Sequence, residues 1–155
     1  MTPDRDIALT LHDDVPEDAG AIVDAGLGAA NEAAAPLHEV RPLACIARDA
    51  VGRVIGGAVG RTGGDCAELP PRWGADAERR RGLGARLVRA FETHAQARGC
   101  HRFYLETFSF QAPSLYRKLG YETALALRGF PHGIAKFTML RELPVASPGN
   151  AAPGG

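Results

Sequence analysis

The chain has 155 residues with 18 Lys+Arg against 18 Asp+Glu, so it is long enough for one domain with a proper core and carries no formal net charge. That balance argues against a dedicated nucleic-acid or membrane-surface binder, which carries a basic excess. Three cysteines, Cys45, Cys66 and Cys100, form no CxxC pair, which argues against a disulfide framework or a zinc knuckle and for reduced thiols in a cytoplasm.

In chain order, the N-terminus "MTPDRDIALTLHDD" has no apolar signal core, and no run reaches membrane-spanning length. Ile7 to Asp13 alternates and predicts a strand. "DDVPEDAGAIVDAGLGAANEAAAP" predicts a helix, or two short ones, ending before Pro36, with Gly20, Gly26 and Gly28 as weak points. "LACIARD", "AVGR" and "VIGGAVGRT" predict a hairpin around a Gly-containing turn. "CAELPPRWG" stands where a further strand is expected, but Pro70 and Pro71 each remove a ladder donor.

From Gly82 to Arg98 the residues Leu83, Leu87, Ala90, Phe91, His94 and Ala95 fall on one helical face, and Gly99 closes the helix. "RFYLETF" (Arg102 to Phe108) predicts a strand, "APSLYRKLG" a short helix, and "ETALAL" and "AKFTMLREL" two more strands. The order gives a mixed α/β (α+β) domain over 1–143, with a mostly antiparallel sheet and helices on both faces. Residues 144–155, Pro/Gly-rich, are expected to be a disordered tail.

"RRRGLG", Arg79 to Gly84, precedes the central helix. A helix start leaves about four amides without internal partners and favours an anion; glycines admit it and arginines add forked donors. The pattern is neither a P-loop, since Ala85 and Arg86 follow Gly84, nor a dinucleotide fingerprint, since Leu87 stands where a small residue is needed. On this turn alone a phosphate cradle and a solvated basic turn stand level.

Arg79-x-x-Gly82-x-Gly84 resembles the Q/R-x-x-G-x-G/A signature of the GNAT superfamily of N-acetyltransferases. "LETFSFQAPSLYRKLGYE" (Leu105 to Glu122) resembles that family's second element, and with "GFPHG" (Gly129 to Gly133) it is similar to a bacterial branch acting on small molecules. The likeness runs from about Val40 to Leu143. It implies a GNAT fold and transfer of an acetyl group from acetyl-CoA, without a metal, to a primary amine of a small molecule or peptide, in a ternary complex. Nucleic acid and membrane are not expected as partners, and a homodimer is left open.

The resemblance places the acetyl-CoA pyrophosphate on Arg79, Arg80, Arg81, Gly82, Leu83, Gly84 and Ala85. It places pantetheine along the strand at Trp73 and Gly74, with Gln111 as a further cofactor contact. Tyr116 matches the acid that protonates the departing thiolate, against a reading as a core aromatic beside Leu115 and Leu119. Glu68 stands eleven residues before Arg79, the spacing of the base in one branch of the family, with Glu106 as its rival. A backbone N–H near Gly74 would meet the oxyanion. His94 reads as packed, and His132 as a residue at the substrate mouth.

"LPPRWG" (Leu69 to Gly74) departs from the family's apolar strand, and "RTGGDC" (Arg61 to Cys66) has glycine where the branch has tryptophan. These departures support an alternative: a weak or inactive relative acting as an acyl-CoA-binding or protein-interaction module.

Overall fold

Asp49 closes the hairpin that the sequence predicts. In the computed structural model, which describes residues 7–35, 39–69, the backbone of 73–74, and 82–145, its Oδ1 accepts hydrogen bonds from the amides of Val51 (3.0 Å) and Arg53 (2.9 Å). Gly52 supplies the positive φ of 87° that the turn requires. The amide of Arg53 does most to hold the Asp49 carboxyl below its ordinary range. On either side run β1 (Arg41–Arg48) and β2 (Val54–Gly63), antiparallel, with Leu43 opposite Gly60 and Cys45 opposite Ala58.

The chain clusters into two compact units, residues 1–38 and 39–155. The first holds α1 (Glu17–Ala34), a single helix of 18 residues despite its three glycines. Glu17 and Asp18 lie in its first turn, at the positive end of the helix dipole. The strand expected over Ile7–Asp13 does not form. Among the described residues this stretch joins no ladder, and a strand without a partner satisfies none of its backbone groups.

The second unit is built on the sheet. β3 (Cys66–Glu68) pairs antiparallel with β2 and parallel with β5 (Arg102–Phe108). β4 (Trp73–Gly74) pairs with β2. β7 (Ala135–Glu142) lies between β5 and β6 (Glu122–Arg128), giving the order β1-β2-β3-β5-β7-β6. Among the described residues only the β3–β5 ladder is parallel, so the sheet is mixed and mostly antiparallel, as expected. α2 (Leu83–Ala97) connects β4 to β5, and α3 (Pro113–Lys118), with proline at its start, connects β5 to β6.

Along β5, Phe103, Leu105 and Thr107 are buried and Arg102, Tyr104 and Glu106 are exposed. The buried side meets α2 through Leu83, Leu87, Val88, Phe91 and Ala95. The helix face is therefore turned from the expected one: Ala90 and His94 are exposed, while Val88 and Glu92 are buried. Hydropathy alone favours the Ala90 flank. The structure favours the Glu92 flank because two arginines meet the carboxylate there. Phe91, Phe103 and Met139 are fully buried at the centre, each contributing about 1.5–3 kcal/mol by leaving water.

α2 stops as predicted. Gly99 takes φ 96°, the Cys100 amide donates to the Ala95 carbonyl (3.0 Å), and the Gly99 amide donates to Gln96 (2.9 Å). Cys45, Cys66 and Cys100 are free thiols, and burial raises the Cys100 thiol above its ordinary range. No helix among the described residues is long and apolar enough to cross a membrane. Of the expected tail, residues 146–155 lie outside the described residues.

Candidate active site

The site begins where two strands part. The parallel ladder ends at Glu68 opposite Tyr104, with one more bond from the Leu69 amide to the Tyr104 carbonyl (2.9 Å). The next strand, β4, is paired on β2 instead, Trp73 opposite Gly57 and Gly74 opposite Gly56. β5 runs on through Leu105–Phe108 paired to β7. Beyond Glu68 the two neighbours diverge, and among the described residues no ladder joins β4 to β5. β3 ends at Glu68 and Leu69 lies outside any strand; Pro70, Pro71 and Arg72, where the strand was expected to break, lie outside the described residues.

α2 starts beside this parting. Gly82 is its N-cap in the left-handed conformation (φ 70°, ψ 21°), and its carbonyl accepts the Arg86 amide (3.2 Å). The amides of Leu83, Gly84 and Ala85 precede the first carbonyl they could bond within the helix, so they form its positive end. The Leu83 side chain is buried in the core, which leaves only its backbone available to a ligand. Arg79, Arg80 and Arg81 lie outside the described residues, as does the side chain of Trp73.

Gly82 has one clear test. Among the described residues nothing lies within 4 Å of a Cβ built there, so against them a methyl group meets only the backbone cost of positive φ. Gly82→Ala is expected to lower stability by roughly 1–2 kcal/mol in urea unfolding. An unchanged midpoint would mean that the helix start relaxes to another conformation.

Tyr116 is 4% exposed and sits on α3. Its carbonyl accepts the Tyr121 amide (2.9 Å), the Gly120 amide donates to Arg117 (3.1 Å), and Gly120 takes φ 97°. The motif Tyr-x-x-Leu-Gly-Tyr is thus the spacing of a helix stop of the Schellman kind, whose usual apolar contact is the edge-to-face pair of Tyr116 and Tyr121 (5.9 Å).

Glu68 projects from the sheet face opposite the core, since its neighbours Ala67 and Leu69 are buried. Arg61 Nε donates to its Oε2 at 2.6 Å across the β2–β3 ladder. On its other side stands Tyr104, whose phenol is held above its ordinary range by burial first and then by the charge of Glu68. Glu106 lies on the same face two residues further along β5 and is paired with Lys136 (2.9 Å). Glu68 and Tyr116 therefore approach from opposite sides of the sheet.

Gln111 works locally. Its Oε1 accepts the Phe108 amide (2.8 Å) and the Thr107 hydroxyl (3.2 Å), closing the turn after β5. His132 is exposed in the turn Pro131–Gly133 with φ 60°. A cavity of about 370 Å³ between β1 and α2 is lined by residues including Leu43, Cys45, Phe91 and His94, and by none of the candidates above.

Sequence reasoning missed two groups. Phe110 stacks on Phe108 (5.4 Å), and Phe130 meets Phe108 edge-on (5.5 Å), at the end of β5. Glu92 is 1% exposed, its carboxylate oxygens met by Arg89 (2.9 Å) and by Arg141. Its signal was Arg89 three residues earlier, a spacing that places two side chains together on a helix.

Residues 13–121 match the acetyltransferase (GNAT) family, and the chain belongs to it. It is 34% identical over 112 residues to the blasticidin-S acetyltransferase of Streptomyces morookaense, covering 70% of this chain and 82% of the relative. The fold is similar to that of an acetyltransferase from Bacillus cereus, with a TM-score of 0.72 at 21% identity over 86% of this chain and 98% of the other. It is also similar to an aminoglycoside 6'-N-acetyltransferase solved with coenzyme A, with a TM-score of 0.59 at 21% identity over 66% and 74%.

Proposed function

We propose that this acetyltransferase moves the acetyl group of acetyl-CoA to a primary amine of a small molecule or peptide by direct attack in a ternary complex. The observation that carries this reading is the parting of β4 from β5 next to the Gly82 helix start. An opened sheet leaves backbone groups for an extended pantetheine arm, and a helix N-terminus accepts its pyrophosphate. The residues described there fit that group: Gly82, Gly84 and Ala85 put little side chain in its way.

Acetyl-CoA supplies a thioester carbonyl that an amine can attack. The protein's own part is proton handling. Glu68 takes the proton that the arriving ammonium must lose, directly or through water. A backbone N–H near Gly74 donates to the carbonyl oxygen as negative charge grows on it. Tyr116 gives its proton to the sulfur as the C–S bond breaks. Gln111, by fixing the turn after β5, sets where α3 and Tyr116 begin. Three free cysteines accord with a cytoplasmic site of action.

Acetyl-CoA at about 100 times its Kd is expected to stabilise the protein by about 2.7 kcal/mol, a rise in Tm of several degrees, while NAD and ATP do little. A flat response at millimolar acetyl-CoA overturns the reading. Appearance of the free CoA thiol with an amine panel then tests turnover. Blasticidin S and an aminoglycoside head that panel, because similar proteins are named for them. The end of β3 at Glu68, with the prolines of the sequence just beyond it, favours a second reading, binding without turnover. A raised Tm with no thiol release from any amine would establish it.

A further inference from the structure

The residues around Glu92 form one connected brace between α2 and the end of α3. Arg89 Nη1 donates to Glu92 Oε1 (2.9 Å), and Arg89 Nη2 donates to the carbonyl of Leu119 (3.0 Å), thirty residues away. The other carboxylate oxygen accepts from Arg141 Nη1, which comes from β7. Arg141 also lies over Gly120: a Cβ built there would meet its Nε at 3.2 Å. Leu119 and Gly120 are the residues through which α3 stops, and Tyr121 follows them, bonded to the Tyr116 carbonyl and packed on its ring.

Burying the Glu92 carboxylate offsets much of its attraction to the two arginines, because the charge leaves water, so the pair is a poor source of stability. What it does supply is direction. One bond of the brace, from Arg89 to the Leu119 carbonyl, ends on the turn that follows Tyr116, Arg141 lies against Gly120 of the same turn, and the Tyr121 hydroxyl beside it is buried with no hydrogen-bond partner among the described residues. Tyr121 is therefore held by its ring contact with Tyr116 and by its amide bond to the Tyr116 carbonyl.

We propose that Glu92, through Arg89 and Arg141, is a positioning residue that fixes Tyr116 relative to α2, whose N-terminus is the expected seat of acetyl-CoA. This rests on the reading of Tyr116 as the proton donor. A donor must lie within hydrogen-bond reach of the atom it protonates, and misplacement by about 1 Å can cost on the order of a hundredfold. The chain thus couples the element that holds the cofactor to the element that holds the acid, by one buried carboxylate with an arginine on each side.

The test is a kinetic cycle on the full-length protein with acetyl-CoA and whichever amine the panel identifies. Arg89→Met cuts the bond to Leu119 while leaving Glu92 paired with Arg141, and Arg89 is 44% exposed, so the variant folds more safely than one at Glu92. It is expected to lower kcat by roughly three- to tenfold with the KM for acetyl-CoA within about twofold, and Arg89→Lys, which keeps one donor, recovers part of the loss. Glu92→Gln is expected to follow the same split with a larger loss.

In the Tyr116→Phe background Arg89→Met is expected to lower kcat by less than about twofold further, because the group it positions is gone. The full loss persisting in that background, or no loss in the single variant, overturns the proposal and leaves the acid assignment standing. A Tyr116→Phe variant with unchanged kcat overturns the acid assignment and this proposal with it.

Discussion

Tyr116→Phe is expected to lower kcat by about tenfold or more while leaving the affinity for acetyl-CoA nearly unchanged. The substitution removes a proton donor and keeps the ring. The ring is what the fold uses: it packs edge-on against Tyr121, and the Tyr116 backbone receives the Tyr121 amide. Folding should therefore survive, and a drop in rate reports on the hydroxyl. Two further readouts distinguish an acid from a packing residue. The fall of the wild-type rate at high pH, where a phenol loses its proton, should disappear in the variant. An acetyl donor whose thiol is more acidic needs less protonation as it leaves, so it should narrow the gap between the two proteins. Equal kcat at every pH returns Tyr116 to the core.

The core and the candidate site were legible in the sequence to different depths. Arg102–Phe108 was readable as a strand because it is rich in aromatics, and the structure gives it those bounds. The stops at Gly99 and Gly120 were readable because only glycine takes their positive φ without strain. The strand at Ile7–Asp13 was not, since alternation says nothing about whether a neighbour exists to complete a ladder. Glu92 was hidden for a related reason. A charged residue beside Phe91 reads as solvent-facing unless its partners are known, and Arg141 arrives from 49 residues away.

The pairing of motifs also concealed a difference in kind. Tyr-x-x-Leu-Gly-Tyr carries a helix stop in its own spacing, so its local structure followed from the residues. The broken strand at Glu68 carried no such rule. Pro70 and Pro71 lie outside the described residues, and only the pairing of Trp73 and Gly74 with β2 shows that the chain resumes next to the parting.

Glu68→Gln is expected to lower kcat/KM by about a hundredfold at pH 7, within the usual range for loss of a general base. A primary amine with a pKa near that of lysine, about 10.4, is free in only about one molecule in several thousand at pH 7, so most encounters begin with an ammonium. Glutamine keeps an oxygen for the Arg61 Nε bond and the same shape, but it cannot take a proton. The ion pair it replaces is exposed, with the Arg61 side chain at 63% and Glu68 at 28%, so stability should change little. The sign of the pH dependence follows from the same chemistry. As pH rises toward the pKa of the amine, the substrate arrives already deprotonated and the base has less to do. The ratio of wild-type to variant rates should therefore shrink steadily from pH 7 to pH 10. Glu106→Gln supplies the comparison, since Glu106 shares the sheet face but is paired with Lys136. If Glu106→Gln shows the large, pH-dependent loss and Glu68→Gln does not, the base is Glu106. In that event Glu68 serves only to hold Arg61 and Tyr104 in their row across β2, β3 and β5.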